Sequence, residues 1–507
     1  MTTNLPMTIA TLVMTMAATS TLAAPRIDYD VDDNGLIEIV DLQDLNEIRN
    51  NTTPDTNELR GETLYGVSDG CPAEGCSGYE LVNDLNFDTN GNDAFDDGDS
   101  YWNEGKGWDP IGSEGQKYVT EFHGNGHTLH NLTIRRPGDS FVGLFSFSEL
   151  AYLHDFNLTA DIVSGSNSGG IVGMSRQSTF ENLYLDVLIS ADKNGEDCNV
   201  NICGSDVIGG MVGIGFDNIF KQLVVKASVT GANVPNVAGV LGGLAGDITG
   251  GSINEIAIQG VVIGSEYIGG LSGFVDGTHI TSVVAITELN GSNYVGGLIG
   301  RATDITLSNV LVSGVLNTGI GLTKEASGGG LIGQANSDVA INSVISLVKL
   351  PSDPGSDHYI GALTGSDASS TVSNVVWARD LSLRDYMFGS DHAAGPGQTF
   401  YLGDIKCASD SDTQSCNGLN FNDFGEQLNS LGEALWEFGG IEDAPVMVLA
   451  MGTFGDKDGN GEVDDWPATI NQDPRSNSGQ ANKSDSSGLG GVFYLLLFLV
   501  PFVFRRH

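Results

Sequence analysis

The stretch DVDDNGLIEIVD, residues 30–41, sets oxygen-bearing side chains at alternate positions around a glycine. Asp30, Asp32 and Asn34 fall at positions 1, 3 and 5 of a calcium-loop pattern, and Gly35 supplies the turn at 6. Leu36 offers a backbone carbonyl at 7, Ile37 is the apolar residue at 8, and Asp41 is the carboxylate at 12. A hard cation takes oxygens at about 2.3–2.6 Å, and this spacing converges several of them. No helix enters the loop, and Asp at the last position reaches less far than Glu. We expect a structural Ca2+ site here rather than a solvated turn. DKDGNGEVDD (456–465) places Asp456, Asp458, Asn460 and Asp464 at the spacing of short calcium repeats, but Pro467 occupies its position 12, so the loop is weaker. DTNGNDAFDDGD (88–99) is acidic too and is expected to be solvated or weakly cation-binding.

Catalytic patterns are poorer. GVSDG around Ser68 matches G-x-S-x-G without a strand–turn–helix context, and GGGLIG (328–333) matches G-x-G-x-x-G without a following helix. There is no P-loop and no H-E-x-x-H. His123 and His127 in HGNGH have no carboxylate at helical spacing, and a turn is expected there.

Composition narrows the setting. Against 22 Lys+Arg stand 65 Asp+Glu, a formal net charge of −43. Such a surface repels nucleic acid and attracts divalent cations. The six cysteines form three close pairs, Cys71/Cys76, Cys198/Cys203 and Cys407/Cys416, none of them C-x-x-C. Local disulfide staples made in an oxidising compartment are expected. The apolar run MTIATLVMTMAATSTLAAP reads as an export signal cleaved near Ala23 or Ala24, although no Lys or Arg precedes it.

The elements that must carry these residues are written in a repeat. Gly143, Gly170, Gly210, Gly243, Gly270, Gly297, Gly330 and Ala362 open equivalent units such as GGLSG and GGLIG. Twelve residues on (thirteen in one copy) come Asp155, Asn182, Gln222, Glu255, Ser282, Asn309, Ser343 and Asn374, each followed by an apolar residue. Apart from that single extra residue, insertions fall between this polar position and the next glycine. Units of about 27 residues with period-2 alternation predict short strands separated by turns. Phe156, Leu183, Leu223, Ile256, Val283, Val310, Val344 and Val375 should stack inside, coil on coil. The polar row should sit at a turn and bond local backbone. The glycines should permit tight turns and close coil-to-coil approach. The fold class is mainly β, a parallel β-helix of about eight coils with capping N- and C-terminal segments.

YVGGLIG and its periodic copies resemble the GLUG motif of bacterial surface proteins, and CPAEGCSGYELVNDLNFDTNGNDAF, YWNEGKGWDPIG, FHGNGHTLHNLTI and LWEFGGIEDAPVMV resemble the flanking segments. The likeness covers most of residues 28–450. It implies a β-helix exposed outside the cell and no defined reaction. SSGLGGVFYLLLFLVPFVFRRH has a Gly pair, a short apolar run broken by Pro501 and a basic end. It resembles a GlyGly-CTERM sorting tail of Gram-negative bacteria. That resemblance implies cutting near Gly488, Gly490 and Gly491 by a rhombosortase-like protease after transient membrane contact.

A β-helix can also be a polysaccharide-degrading enzyme, with clustered carboxylates on one outer face. The outer rows include Thr159, Asp186 and Lys226, then Asp161 and Leu188 two residues on; no acids stand paired on neighbouring coils, and Asp186 with Lys226 reads as a surface ion pair. In another outer row, Asn157, Tyr184, Val224, Ala257, Val284, Leu311, Ile345 and Val376, the last six are aliphatic, and the stripe through Tyr184, Val224, Val284, Leu311 and Ile345 either binds a partner or is covered by a loop. The expected organisation is a signal peptide (1–24), an N-terminal calcium-loop and capping region (25–140), the repeat β-helix (141–385), a C-terminal cap (386–450), a polar linker with the second loop (451–487) and the sorting tail (488–507). The expected role is adhesion or binding of an extracellular glycan or protein. A carbohydrate-active enzyme and a structural surface-layer component are the alternatives.

Overall fold

The computed structural model describes residues 26–466, apart from 54–55, 193–205, 232–238, 319–325, 353–358, 392, 394, 409–415, 420, 422–423, 425–426, 439–442, 459–460, 462–463 and 465. Cys198, Cys203 and Asn460 therefore lie outside the described residues, as do Ala23, Ala24 and the tail with Gly488, Gly490 and Gly491.

The chain winds into a parallel β-solenoid. One sheet has 20 strands and a second has 10, and the repeat supplies most of both. In the larger sheet the strand Thr179–Ala191 pairs in parallel with Tyr152–Ser168 on one side and Ile219–Thr230 on the other. The same pairing runs on through Ser252–Ile263, His279–Gly291, Ile305–Thr318 and Val339–Lys349 to Thr371–Ala378. The expected inner row holds residue for residue: Leu183 lies between Phe156 and Leu223, and Val310 between Val283 and Val344. Those side chains are buried, as a stack that hides its apolar face only against its neighbours requires.

The polar row has a sharper role than a loose turn. All eight residues, Asp155, Asn182, Gln222, Glu255, Ser282, Asn309, Ser343 and Asn374, take φ between +52° and +57°. Each is a left-handed corner that interrupts the ladder, a conformation that Asn and Asp tolerate better than most residues. Their side chains also bond from coil to coil. Asn182 donates to Asp155, and the Gln222 amide reaches Glu255 at 3.4 Å.

The glycine pairs act through space rather than through φ. A Cβ on Gly243, Gly270 or Gly297 would lie 2.3, 2.4 or 2.2 Å from the carbonyl oxygen of the equivalent glycine on the next coil, and none of the three has a positive φ. The coils touch there backbone to backbone, which only glycine allows.

The N-terminal region prolongs the solenoid. Leu36–Ile39 pairs in parallel with Gly78–Leu81, which pairs with Glu121–His123, which pairs with the long rung Tyr152–Ser168. Disulfides Cys71–Cys76 and Cys407–Cys416 are formed.

The C-terminal segment decides between the two readings of the aliphatic stripe: it is covered. Tyr184, Val224, Val284, Leu311 and Ile345 do lie in one outer row, but none is free surface; the most exposed, Tyr184, has 6% of its area open. They share an apolar cluster with Ile405, Phe424, Leu435, Trp436, Met447 and Phe454. A small antiparallel sheet, Trp436–Glu437, Val446–Leu449 and Gly452–Phe454, belongs to this cover. Polar pins flank it: the Ser430 amide and hydroxyl donate to Glu255 at 2.5 and 2.6 Å, and the Ser313 hydroxyl donates to Asp456 at 2.6 Å. The segment lies along the flank, so the stripe is a second core.

Candidate metal centre

The loop at 30–35 folds as its spacing predicts. Gly35 has φ +86°, and its amide donates to Asp30 Oδ2 at 2.9 Å. The Asn34 amide donates to Asp32 Oδ1 at 3.1 Å, and the Leu36 amide to Asn34 Oδ1 at 2.8 Å. Successive side-chain oxygens are thereby turned to one side.

Two ligand candidates come from strands instead of the loop. Glu38 and Glu80 sit side by side on the paired strands Leu36–Ile39 and Gly78–Leu81. Carboxylate oxygens of Asp32, Glu38 and Glu80 all lie within 4.8 Å of one another. Asp30 is fully buried, Glu38 5% and Glu80 2% exposed. Asp30 Oδ1 and Glu38 Oε2 are buried with no hydrogen-bond partner, although such atoms are costly to leave unmatched. Burial first, then repulsion from Glu80 and Asp30, raises the pKa of Glu38 above the usual carboxylate range. Among the described residues no Lys or Arg forms an ion pair with any of the four carboxylates. The Asn34 amide nitrogen is the one neutral donor that bridges them, 3.1 Å from both Asp32 and Glu80. Buried acids without a counter-charge are the donor set that a hard divalent cation matches.

Asp41 does not join this set. Its Oδ1 accepts the amides of Gln43 and Asp44 at 2.8 and 2.9 Å and caps the helix Leu42–Glu47. A short capping residue at the start of a helix is a common use of Asp, and the carboxylate that closes the cluster is Glu80, 50 positions past the loop's first residue.

The second loop has the same hinge. The Gly461 amide donates to Asp456 Oδ2 at 2.8 Å, and carboxylate oxygens of Asp456, Asp458 and Asp464 lie within 4.8 Å of one another. Asp456 is buried where the loop meets Ser313 of the solenoid. The stretch at 88–99 repeats the motif once more: the Asp93 amide donates to Asp88 Oδ2 at 2.9 Å, with Asp93 itself at φ +60°.

His123 and His127 are not a pair. His127 meets Asp84 at 3.0 Å, and the His123 ring stacks on His154 at 4.4 Å. His154 is the unexpected member. Its Nδ1 lies 2.6 Å from Asp155 and its Nε2 2.9 Å from Glu121. Both neighbours are carboxylates, which accept from a protonated ring at either nitrogen. Burial lowers its pKa, but the hydrogen bonds to Asp155 and Glu121 outweigh burial and raise it. Asp155 moves the other way: burial raises its pKa, and hydrogen bonds from His123, His154 and Asn182 bring it well below the ordinary value. Oxygen and nitrogen atoms of His123, His154 and Asp155 lie within 4.8 Å of one another; His154 is buried, His123 and Asp155 are half-buried, and both His154 nitrogens already contact carboxylates.

The expected ion pair of Asp186 with Lys226 is present at 2.8 Å. A scan along rows misses a diagonal, however. Asp186 faces Thr159, and Asp161 lies two residues beyond Thr159 on that strand, so both acids line one cleft.

No family model matches this chain. A stretch of 119 residues, 23% of the chain, is 29% identical to halomucin of Haloquadratum walsbyi and covers 1% of that protein. A stretch of 70 residues, 14% of the chain, is 29% identical to a protein of Evansella cellulosilytica described as a Gly-rich membrane protein and covers 8% of it. The chain thus spans a small fraction of either relative's length. No solved structure matches. Among the described residues no helix is long and apolar enough to cross a membrane.

Proposed function

We propose that this chain is an exported, calcium-stabilised, non-catalytic β-solenoid that binds an extracellular glycan or protein at, or shed from, the surface of a Gram-negative cell. The observation that carries the calcium reading is the pair of orphaned, buried oxygens Asp30 Oδ1 and Glu38 Oε2 beside Asp32 and Glu80. Ca2+ there ties the first loop to the first two rungs, and a second ion at Asp456, Asp458 and Asp464 fastens the C-terminal cover to the flank. Such sites suit a compartment rich in free Ca2+, as do the closed disulfides. The likeness to the GLUG motif, the GlyGly-CTERM-like tail and the name of one relative as a membrane protein support a surface location. A rhombosortase-like protease is the expected processing partner.

Thermal melts of the full chain in Ca2+, Mg2+ and chelator test the cation. A ligand at about 100 times its Kd adds about 2.7 kcal/mol. Ca2+ should therefore raise Tm by a few degrees, and Glu80→Gln should remove part of that rise. Equal melts in Ca2+ and chelator would sink the calcium reading. New reducing or unsaturated ends from a polysaccharide panel would sink the non-catalytic one.

A further inference from the structure

A cleft of about 620 Å3 opens over the rungs Thr128–Val142, Tyr152–Ser168 and Thr179–Ala191, on surface that the C-terminal segment does not cover. Its floor is a lattice of short polar side chains. Thr133 pairs across to Asp161, and Thr159 to Asp186, so hydroxyls and carboxylates alternate at the spacing of adjacent strands, about 4.8 Å. One wall is the loop that begins at Phe87. There Phe95, half-buried, rests on Trp102 with ring centroids 4.5 Å apart. The loop is held by its own carboxylates: Asp88 accepts the amides of Gly91, Asn92 and Asp93, and Asp99 those of Thr89, Asn90 and Asp96.

Two carboxylates on the cleft floor are paired with cations, while Asp88, Asp93 and Asp99 line the loop wall. The Arg135 guanidinium grips Asp161 with two bonds, of 3.1 and 2.5 Å, and Lys226 holds Asp186 at 2.8 Å. Both pairs stay open to solvent, with 45% of the Asp161 side chain and 44% of Asp186 exposed. An open ion pair presents a fixed donor and a fixed acceptor side by side. A sugar hydroxyl is both acceptor and donor, so it can satisfy each half of such a pair at once. The ring face of Phe95 adds apolar area for the C–H face of a pyranose. A polyanionic glycan is disfavoured by the net charge of −43. A basic peptide is drawn by that field but finds Asp161 and Asp186 already neutralised and Asp88 and Asp99 bonded to the loop's own amides, so polylysine is the comparison that tests it. The volume lies within the usual range for ligand sites, about 300–1,000 Å3.

We propose that this cleft binds an uncharged, hydroxyl-rich saccharide, seated on Thr133, Thr159, Asp161 and Asp186 and against Phe95. The proposal rests on the ligand-binding reading above and gives it a place and a ligand class. The test is affinity electrophoresis and calorimetry of the full chain with β-glucan, mannan, galactan and xylan. A polyuronate and polylysine are the charged comparisons. Binding to at least one neutral polysaccharide is expected, weakened about tenfold or more by Phe95→Ala and by Asp186→Asn, with Tm unchanged in both. Neutral-glycan binding that persists in both variants overturns the cleft while leaving the broader reading intact. Binding only to polyuronate or polylysine overturns the ligand class. No binding to any member of the panel overturns the proposal and removes the glycan branch of the parent reading as well.

Discussion

Val310 and Leu311 are adjacent in sequence and face opposite sides of one strand. Val310 stacks between Val283 and Val344 inside the solenoid, and Leu311 between Val284 and Ile345 beneath the C-terminal segment. Both are fully buried. An aspartate introduced at either place must give up its charge or remain buried with it. Protonating a carboxyl of pKa about 3.9 at pH 7 costs about 4 kcal/mol. Losing the burial of the original side chain adds about 1.5–3 kcal/mol. The penalty, about 6 kcal/mol, is comparable to the whole stability of many domains. The chain avoids it by the smallest opening that wets the site. For Leu311→Asp that opening lifts the C-terminal segment and breaks no rung pairing. For Val310→Asp the rungs themselves must part. Limited proteolysis and hydrogen exchange on the full chain separate the two. Leu311→Asp should expose Val446–Leu449 to exchange while the long rungs stay protected, and at pH 4 the segment should return as the protonation cost vanishes. Val310→Asp should lose rung protection at neutral pH. Unchanged protection of Val446–Leu449 in Leu311→Asp, or equal loss of rung protection in both variants, would refute the assignment of two cores.

Gly270→Ala should break the coil contact, because the new methyl would sit 2.4 Å from the Gly297 carbonyl oxygen; Gly115→Ala, with nothing within 4 Å, should leave Tm nearly unchanged. His154 has a raised pKa, so its contribution is complete below the ordinary histidine value and is lost as pH rises through the folded one; melts should show it fall on the alkaline side, and His154→Gln should flatten that limb. Asp247 is pushed up to about 6 by burial and by nearby Asp276. Its protonated form therefore stabilises the fold below about pH 4, and that contribution is lost as pH rises through about 6. Asp247→Asn should raise stability at pH 7, by up to about 3 kcal/mol, and leave it unchanged at pH 4.

The inner core was legible because its signal is local and repeated. A fixed distance from glycine to the row Phe156–Val375, with insertions confined elsewhere, leaves one register in which the apolar residues can meet. The corner was only half legible. Asn182, Asn309 and Asn374 announce a left-handed residue by type, but Gln222 and Glu255 do not, and they adopt it because neighbouring coils dictate their backbone. That the stripe could be covered was legible, but which segment covers it was not, since Trp436, Met447 and Phe454 belong to no repeat and lie more than a hundred residues from most of what they bury. A surface row of six aliphatic residues signals a partner; whether the partner is foreign or part of the same chain is a long-range fact that periodicity does not carry.

The candidate metal centre shows the same division between local and distant information. The turn through Asp30, Asp32 and Asn34 could be found by spacing because it is made by the loop's own hydrogen bonds. Glu80 could not, because it reaches the site through strand pairing with Glu38. There was nevertheless a trace of both glutamates in the chain. LIEI and GYEL are short strands in which every residue is buried, so each acid sits where a strand would ordinarily place an apolar side chain. An acid inside a buried strand needs a counter-charge, a proton or a cation. Glu38 has no basic partner among the described residues, and two such acids paired across one ladder repel each other, which leaves a shared proton or a shared cation. A shared cation is the arrangement on which the calcium proposal rests, and the orphaned oxygens of Asp30 and Glu38 are what support it.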